Sequence, residues 1–262
     1  MMKIKLIGKN ALIGASSKGL GKAIALQLAK CGASVTLVAS NENNLNETFA
    51  ELDTSFNQNH QILKVDYTDF EGYNKIITGY FETNNVDILV NNTQGPEGGN
   101  VDEKTTEDYQ QAFDLLFKTT QLTTTLALKK MKEQGFGRII NCTSVSIKEP
   151  LNHLVLSNSI RAAIITWAKT LANSVAKNGI TVNNILTGIF DTERIQSLTK
   201  MQAEVNKTSI EEELKKITES IPVNRIGKPE EFAYLVTFLA SEYSSFITGT
   251  NIAIDGGMLK SV

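Results

Sequence analysis

Cysteine is scarce in this 262-residue chain: only Cys31 and Cys142 occur. They lie far apart with no CxxC or Cys/His spacing, which excludes a disulfide framework and a cysteine zinc site and fits a reducing compartment. An excess of charge of one sign is also lacking, since the formal net charge is −2. No field of one sign draws in a polyanion, so nucleic acid is not an expected partner. Long apolar runs are missing as well. No segment approaches about eighteen uninterrupted apolar residues. The start, MMKIKLIGKNALIG, has no apolar stretch ending in a small-residue cleavage site. The expectation is a soluble, cytoplasmic protein with no membrane partner.

What is present is enough apolar sequence, 41% of residues, to bury a large core in one domain over 1–262. Short β-branched runs alternate with longer segments of helical period. The runs fall at 11–14, 34–40, 61–66, 86–92, 137–144, 180–186 and 251–255; the helical segments at 20–30, 43–56, 70–82, 106–133, 159–177 and 230–241. This alternation predicts repeated βαβ units. The expected fold class is α/β, a doubly wound parallel seven-stranded sheet of Rossmann type in three layers, helix, sheet, helix. The polar segment 192–220 reads either as a mobile lid over a site or as a solvated helical excursion.

The first run is followed by GASSKGLGKAIALQLA. Gly19 and Gly21 open a helix directly behind a strand, where backbone N–H groups and the helix dipole favour a phosphate. Two glycines alone would read as a structural turn. The strand before, the helix after and an acid closing a later strand make this a dinucleotide site.

At these residues the chain resembles the short-chain dehydrogenases/reductases, nearest the 3-oxoacyl-acyl-carrier-protein reductases, over nearly its whole length. The family's Thr-Gly-x-x-x-Gly-x-Gly turn falls on Gly14, Ala15, Ser16, Ser17, Lys18, Gly19, Leu20 and Gly21. The first family glycine has become Ala15, which is strained only if φ there is positive. The resemblance implies that Asp66 accepts from the adenine amino group and that Asn91 and Asn92 lie beside the adenosine ribose. It also implies that Gly188 belongs to the turn against the nicotinamide, with Thr187 in place of proline, and that Thr192 holds the carboxamide. Thr93 and Gln94 depart from the family's Ala-Gly. The tail ITGTNIAIDGG resembles a strand used in tetramer contacts, which implies a homodimer or homotetramer.

An acid at the end of the second strand would accept the ribose hydroxyls of NAD and repel a 2′-phosphate. That strand ends Val38, Ala39, Ser40, Asn41, with Glu42 close behind. Lys18 matches the basic position that NADP-dependent relatives use, and Ser40 stands where they often carry arginine. NADP(H) is the favoured cofactor and NAD(H) remains open; Lys18 also reads as an ordinary exposed lysine.

The family's catalytic tetrad is Asn, Ser, Tyr and Lys. In this sequence those positions hold Leu116, Ser144, Ser157 and Arg161. Ser157 and Arg161 keep the i, i+4 spacing and share a helix face. A serine lacks the phenol's pKa, and an arginine stays protonated, so the pair cannot act as the usual acid and relay. No tyrosine occurs between 141 and 169. His153 is the one nearby group able to donate a proton near neutral pH, although loop histidines are usually only solvated. Ser144 could polarise a carbonyl, and Arg161 could hold the cofactor ribose or an anionic substrate. The plainer readings are a strand-end serine at 144 and a helix N-cap at 157.

Two functional readings stand. One is an NADP(H)-dependent oxidoreductase acting on a small carbonyl or hydroxyl substrate, an acyl thioester among the candidates. The other is a catalytically silent dinucleotide-binding or assembly protein.

Overall fold

A computed structural model describes residues 3–261. The strands are β1 (Asn10–Gly14), β2 (Ser34–Ala39), β3 (Gln61–Lys64), β4 (Ile88–Asn91), β5 (Gly137–Cys142), β6 (Ile180–Thr187) and β7 (Asn251–Ile254). They form one seven-stranded sheet in the order β3-β2-β1-β4-β5-β6-β7. Every pairing is parallel. Parallel neighbours require crossovers, and the chain supplies them with helices. These are α1 (Gly19–Lys30), α2 (Glu42–Ala50), α3 (Phe70–Thr83), α4 (Thr106–Phe113), α5 (Thr119–Gln134), α6 (Val155–Val175), α7 (Glu193–Asn206), α8 (Ile210–Glu219) and α9 (Pro229–Ala240).

The period of two along each strand divides its side chains between two cores. Ala11 and Ile13 of β1 and Ile88 and Val90 of β4 join Ile24, Leu28, Phe232 and Val236 of α1 and α9. Leu12 and Leu89 face the other way, toward Tyr73, Ile77, Met131, Ile160 and Ile164 of α3, α5 and α6. The strand order reverses between β1 and β4, and a ligand crevice opens there beyond the carboxyl ends of the strands. Among the described residues no helix is long and apolar enough to cross a membrane.

Four expected segments differ most in extent or make-up. The helix expected from 159 starts at Val155, because a backbone bridge between Gly99 and Leu154 fixes the preceding turn. Its N-cap is Leu154, so Ser157 lies in the first turn and is not a cap. The helix expected to 56 ends at Ala50, ahead of a turn with Asn57 at φ +57°. The helix expected over 106–133 runs through one turn of π-helix at Asp114–Lys118. The segment 192–220 is two helices, α7 and α8, joined at Lys207 with φ +54°.

Candidate active site

The glycine-rich turn is held by close backbone approaches. A Cβ on Gly14 would fall 2.1 Å from the Asn92 carbonyl oxygen, and one on Gly21 would fall 2.1 Å from that of Ala15. Ala15 itself sits at φ +44° and Gly19 at +53°. The alanine is therefore in the left-handed region where its methyl group is strained. Neighbouring bonds keep it there: its N–H donates to the buried Tyr67 hydroxyl at 3.3 Å. Ser16 fastens the turn to β2, accepting from the Val38 N–H at 2.8 Å and donating its own N–H to the Val38 carbonyl at 3.1 Å. The Ser17 carbonyl accepts from Thr48 Oγ1 at 3.0 Å.

Lys18, the N-cap of α1, makes no side-chain cap bond, and the first turn carries no acid. The leading N–H groups, on Gly19, Leu20 and Gly21, are thus uncapped, and these residues line a cleft of about 470 Å³. That arrangement fits the diphosphate of a dinucleotide.

At the end of β2, Ser40 is exposed. Asn41 caps α2 by accepting from the Asn44 N–H at 3.0 Å. Glu42 pairs with Lys64 at 3.0 Å, so no uncommitted acid stands at this corner. The Lys18 ammonium meets Glu193, the first residue of α7, at 2.7 Å.

Asp66 is exposed beyond β3 and outside the main cleft. Hydrogen bonds from the Thr68 hydroxyl and N–H hold its carboxyl below the usual range. Asn92 lines the cleft and donates to the Gly14 carbonyl at 3.1 Å. Asn91 is not among the residues lining the cleft, and its Nδ2 donates to Thr124 Oγ1 at 3.0 Å and Asn141 Oδ1 at 2.8 Å, within the strand ends. Gly188 and Thr192 both border the cleft. Gly188 lies so close to β7 that a Cβ would fall 2.6 Å from Asp255 Cα.

At the other end of the cleft stand Ser144, Ser157 and Arg161. Arg161 Nε donates to Ser157 Oγ at 3.2 Å and Nη1 to the Cys142 carbonyl at 2.6 Å. Burial, with the like charge of Arg194 adding to it, pulls the Arg161 guanidinium down to about 10. Ser144 Oγ accepts from the Ser146 N–H at 3.1 Å and shares a hydrogen bond with Ser146 Oγ at 2.8 Å. Burial pushes the Cys142 thiol up to about 12, so it is no nucleophile near neutral pH. Leu116, at the family's asparagine position, is buried in the π-helical turn.

His153 departs from expectation. It is exposed and outside the cleft-lining set, and its carbonyl accepts from the Gly99 N–H at 2.8 Å.

A family model described as enoyl-(acyl carrier protein) reductase matches residues 14–259. The 3-oxoacyl-[acyl-carrier-protein] reductase FabG of Rickettsia bellii (strain RML369-C) is 33% identical over 256 residues, covering 98% of this chain and 99% of the relative. The chain belongs to the short-chain dehydrogenase/reductase family. Among solved structures, L-sorbose reductase from Gluconobacter frateurii, complexed with NADPH and L-sorbose, matches with TM-score 0.93 and 31% identity over 100% of both chains. YwfH, an NADPH-dependent reductase involved in bacilysin biosynthesis, matches with TM-score 0.90 and 30% identity over 97% of this chain and 99% of that one.

Within this reductase scaffold the sequence reading missed Ser146, Tyr67 and Arg194. Ser146 pairs with Ser144 inside one turn, and Tyr67 with the Ala15 N–H across the fold, which spacing does not reveal. Arg194 left a readable signal: it is a basic residue in the first turn of a helix, where the dipole disfavours it.

Proposed function

We propose that the protein is an NADP(H)-dependent oxidoreductase that interconverts a small carbonyl compound and its alcohol, with an oxoacyl thioester among the candidate substrates. The observation that carries this is the Ser157–Arg161 couple. Because Arg161 Nε donates to Ser157 Oγ, the serine's own hydroxyl hydrogen is left to donate elsewhere, and Ser157 borders the cleft beside Ser144. A guanidinium behind the oxygen makes that hydroxyl a stronger donor. Ser144, accepting from Ser146, can offer a second. Two hydroxyl donors facing one cleft form a seat for a carbonyl oxygen on which negative charge develops.

When bound, the cofactor supplies hydride to the carbonyl carbon. Ser157 passes its hydroxyl proton to the oxygen and takes one from water in its place, since an aliphatic hydroxyl is too weak an acid to be left as the alkoxide near pH 7. Ser144 and Ser157 orient the carbonyl, and Arg161 holds Ser157 in place. His153 has no part in this scheme.

NADP(H) is favoured over NAD(H) by the β2 corner, where Glu42 is committed to Lys64 and no other acid stands. The Lys18–Glu193 pair is exposed on both sides. Such a pair contributes about 0–1 kcal/mol, so a 2′-phosphate can draw Lys18 away. The sorbose reductase and YwfH, both described with NADPH, support the same choice. The fully exposed Phe246, beside edge strand β7, supports the homodimer or homotetramer implied by the resemblance.

The test is a titration of the stripped protein with NADPH and NADH, then NADPH consumption with a carbonyl panel. Tighter NADPH binding and a turnover that Ser157→Ala lowers by about 10²-fold or more, the loss of one donor to the developing oxyanion, are expected. Cofactor binding without turnover on any carbonyl would favour the silent reading, which draws its support from the missing tyrosine.

A further inference from the structure

The cleft carries more positive charge than the fold needs. Its ionic lining is Lys18, Arg161 and Arg194 against the single acid Glu193. Glu193 is taken by Lys18 at 2.7 Å. Among the described residues neither Arg161 nor Arg194 has a carboxylate within ion-pair distance. Arg161 has work inside the protein, on Ser157 and the Cys142 carbonyl. Among the described residues the Arg194 side chain donates to no acceptor.

Arg194 is nevertheless placed. Its guanidinium lies against the backbone of Gly95 in the loop after β4, so close that a Cβ there would fall 2.4 Å from Nη1. Gly95 thus leaves the space that Arg194 fills. The residue sits in the first turn of α7, where the helix dipole opposes a cation. Arg161 lines the same cleft and adds a like charge; its pKa is lowered chiefly by burial, with the Arg194 charge adding to that. A helix end and two guanidinium groups of one sign around one cleft are unfavourable until an anion enters.

We propose that Arg194 is the specificity-determining residue of the site and that the substrate is an oxo acid, a carbonyl compound whose chain carries a carboxylate. Arg194 takes the carboxylate in a forked, charge-assisted contact while Ser144 and Ser157 take the carbonyl oxygen. A neutral polyol or a plain acyl chain leaves the Arg194 charge unanswered. This inference rests on the reductase reading of the same cleft. The shared anion chemistry has a second source, the cofactor's diphosphate, and the experiment separates the two.

The probes are 3-oxopentanoate and 4-oxopentanoate with their methyl esters, offered to the full-length protein with NADPH, and to its NADP⁺ complex in melting experiments. The acids are expected to have a lower KM than the esters and to raise the melting temperature of the complex more. Arg194→Gln should raise the KM for the acids by about 10- to 100-fold, leave the esters within about twofold, and leave NADPH affinity unchanged. Arg194 is exposed, so the variant folds. Equal handling of acid and ester by the wild type overturns the proposal. So does an Arg194→Gln variant that loses NADPH affinity while keeping its acid preference, because the anion is then the cofactor's diphosphate. The melting arm needs no turnover: acid-specific stabilisation abolished in Arg194→Gln, with no NADPH consumed, upholds the anion seat and removes the reductase reading.

Discussion

A chain of side-chain amides crosses half of the sheet, and its removal has a magnitude that follows from the bonds. Asn91, Asn141, Asn184 and Asn251 stand opposite one another in the registers of β4, β5, β6 and β7. Asn91 Nδ2 donates to Asn141 Oδ1, Asn141 Nδ2 to Asn184 Oδ1, and Asn184 Nδ2 to Asn251 Oδ1, each at 2.8 Å. Asn141 and Asn184 are 1% exposed, so water cannot replace a lost partner. Asn141→Leu keeps the volume and removes two bonds, each contributing about 1 kcal/mol net. Asn91 Nδ2 still has Thr124, but Asn184 Oδ1 is left buried without a donor, at a further cost of about 1–3 kcal/mol. The leucine's better transfer from water offsets part of this, and the expected loss is about 2–3 kcal/mol. Urea unfolding followed by the single tryptophan, Trp167, measures it at fixed protein concentration. Asn184→Leu should cost a similar amount, and the double variant at least about 1 kcal/mol less than the sum, because neither partner is then orphaned. A loss under about 0.5 kcal/mol, or strict additivity, would refute the reasoning.

The parts of this molecule that were legible in the sequence are those set by local pattern. β-branched runs alternating with helical period predicted all seven strands and their parallel sheet, and the glycine spacing predicted the turn at the start of α1. The departures have tertiary causes. The bridge from Gly99 to Leu154 marks the turn after which α6 starts early, and His153 in that turn is exposed. Asn91 matches a family motif, yet its amide belongs to the ladder, a role that exists only once β4 and β5 are in register. Lys18 was read from the basic position alone, and its partner Glu193 stands 175 residues away in sequence. Ser157 and Arg161 were paired by i, i+4 spacing, and the bond between them has the one direction a guanidinium allows, while the second donation of Arg161, to the Cys142 carbonyl, required the folded geometry.

The same geometry supports three further predictions. Ala15→Gly should relieve about 1–2 kcal/mol of left-handed strain at φ +44° against about 0.4–1 kcal/mol of added unfolded-state entropy. Urea unfolding should therefore report a small net stabilisation, and a clear loss would mean that the methyl group packs favourably. Glu213, held down to about 2 by hydrogen bonds from Lys216, Thr208 and Asn206, stabilises the α7–α8 hairpin above the ordinary glutamate value of 4.5. That contribution is lost as pH falls from there toward 2; hydrogen exchange in α8 should accelerate over this window in the wild type and show no such step in Glu213→Gln. The last concerns the catalytic pair. Ser157 and Arg161 face one cleft with the geometry of a tyrosine and lysine but without a group that gives up a proton near neutral pH. If positioned acid catalysis is the missing component, Ser157→Tyr with Arg161→Lys should raise kcat by about 10²-fold or more at unchanged NADPH affinity. Each single change should do far less, because a tyrosine needs the neighbouring ammonium to lower its pKa and a lysine alone has no phenol to act on. A double variant no faster than the wild type, folded and binding NADPH, would mean that the serine and arginine already supply what this reaction requires. The proton would then not limit it.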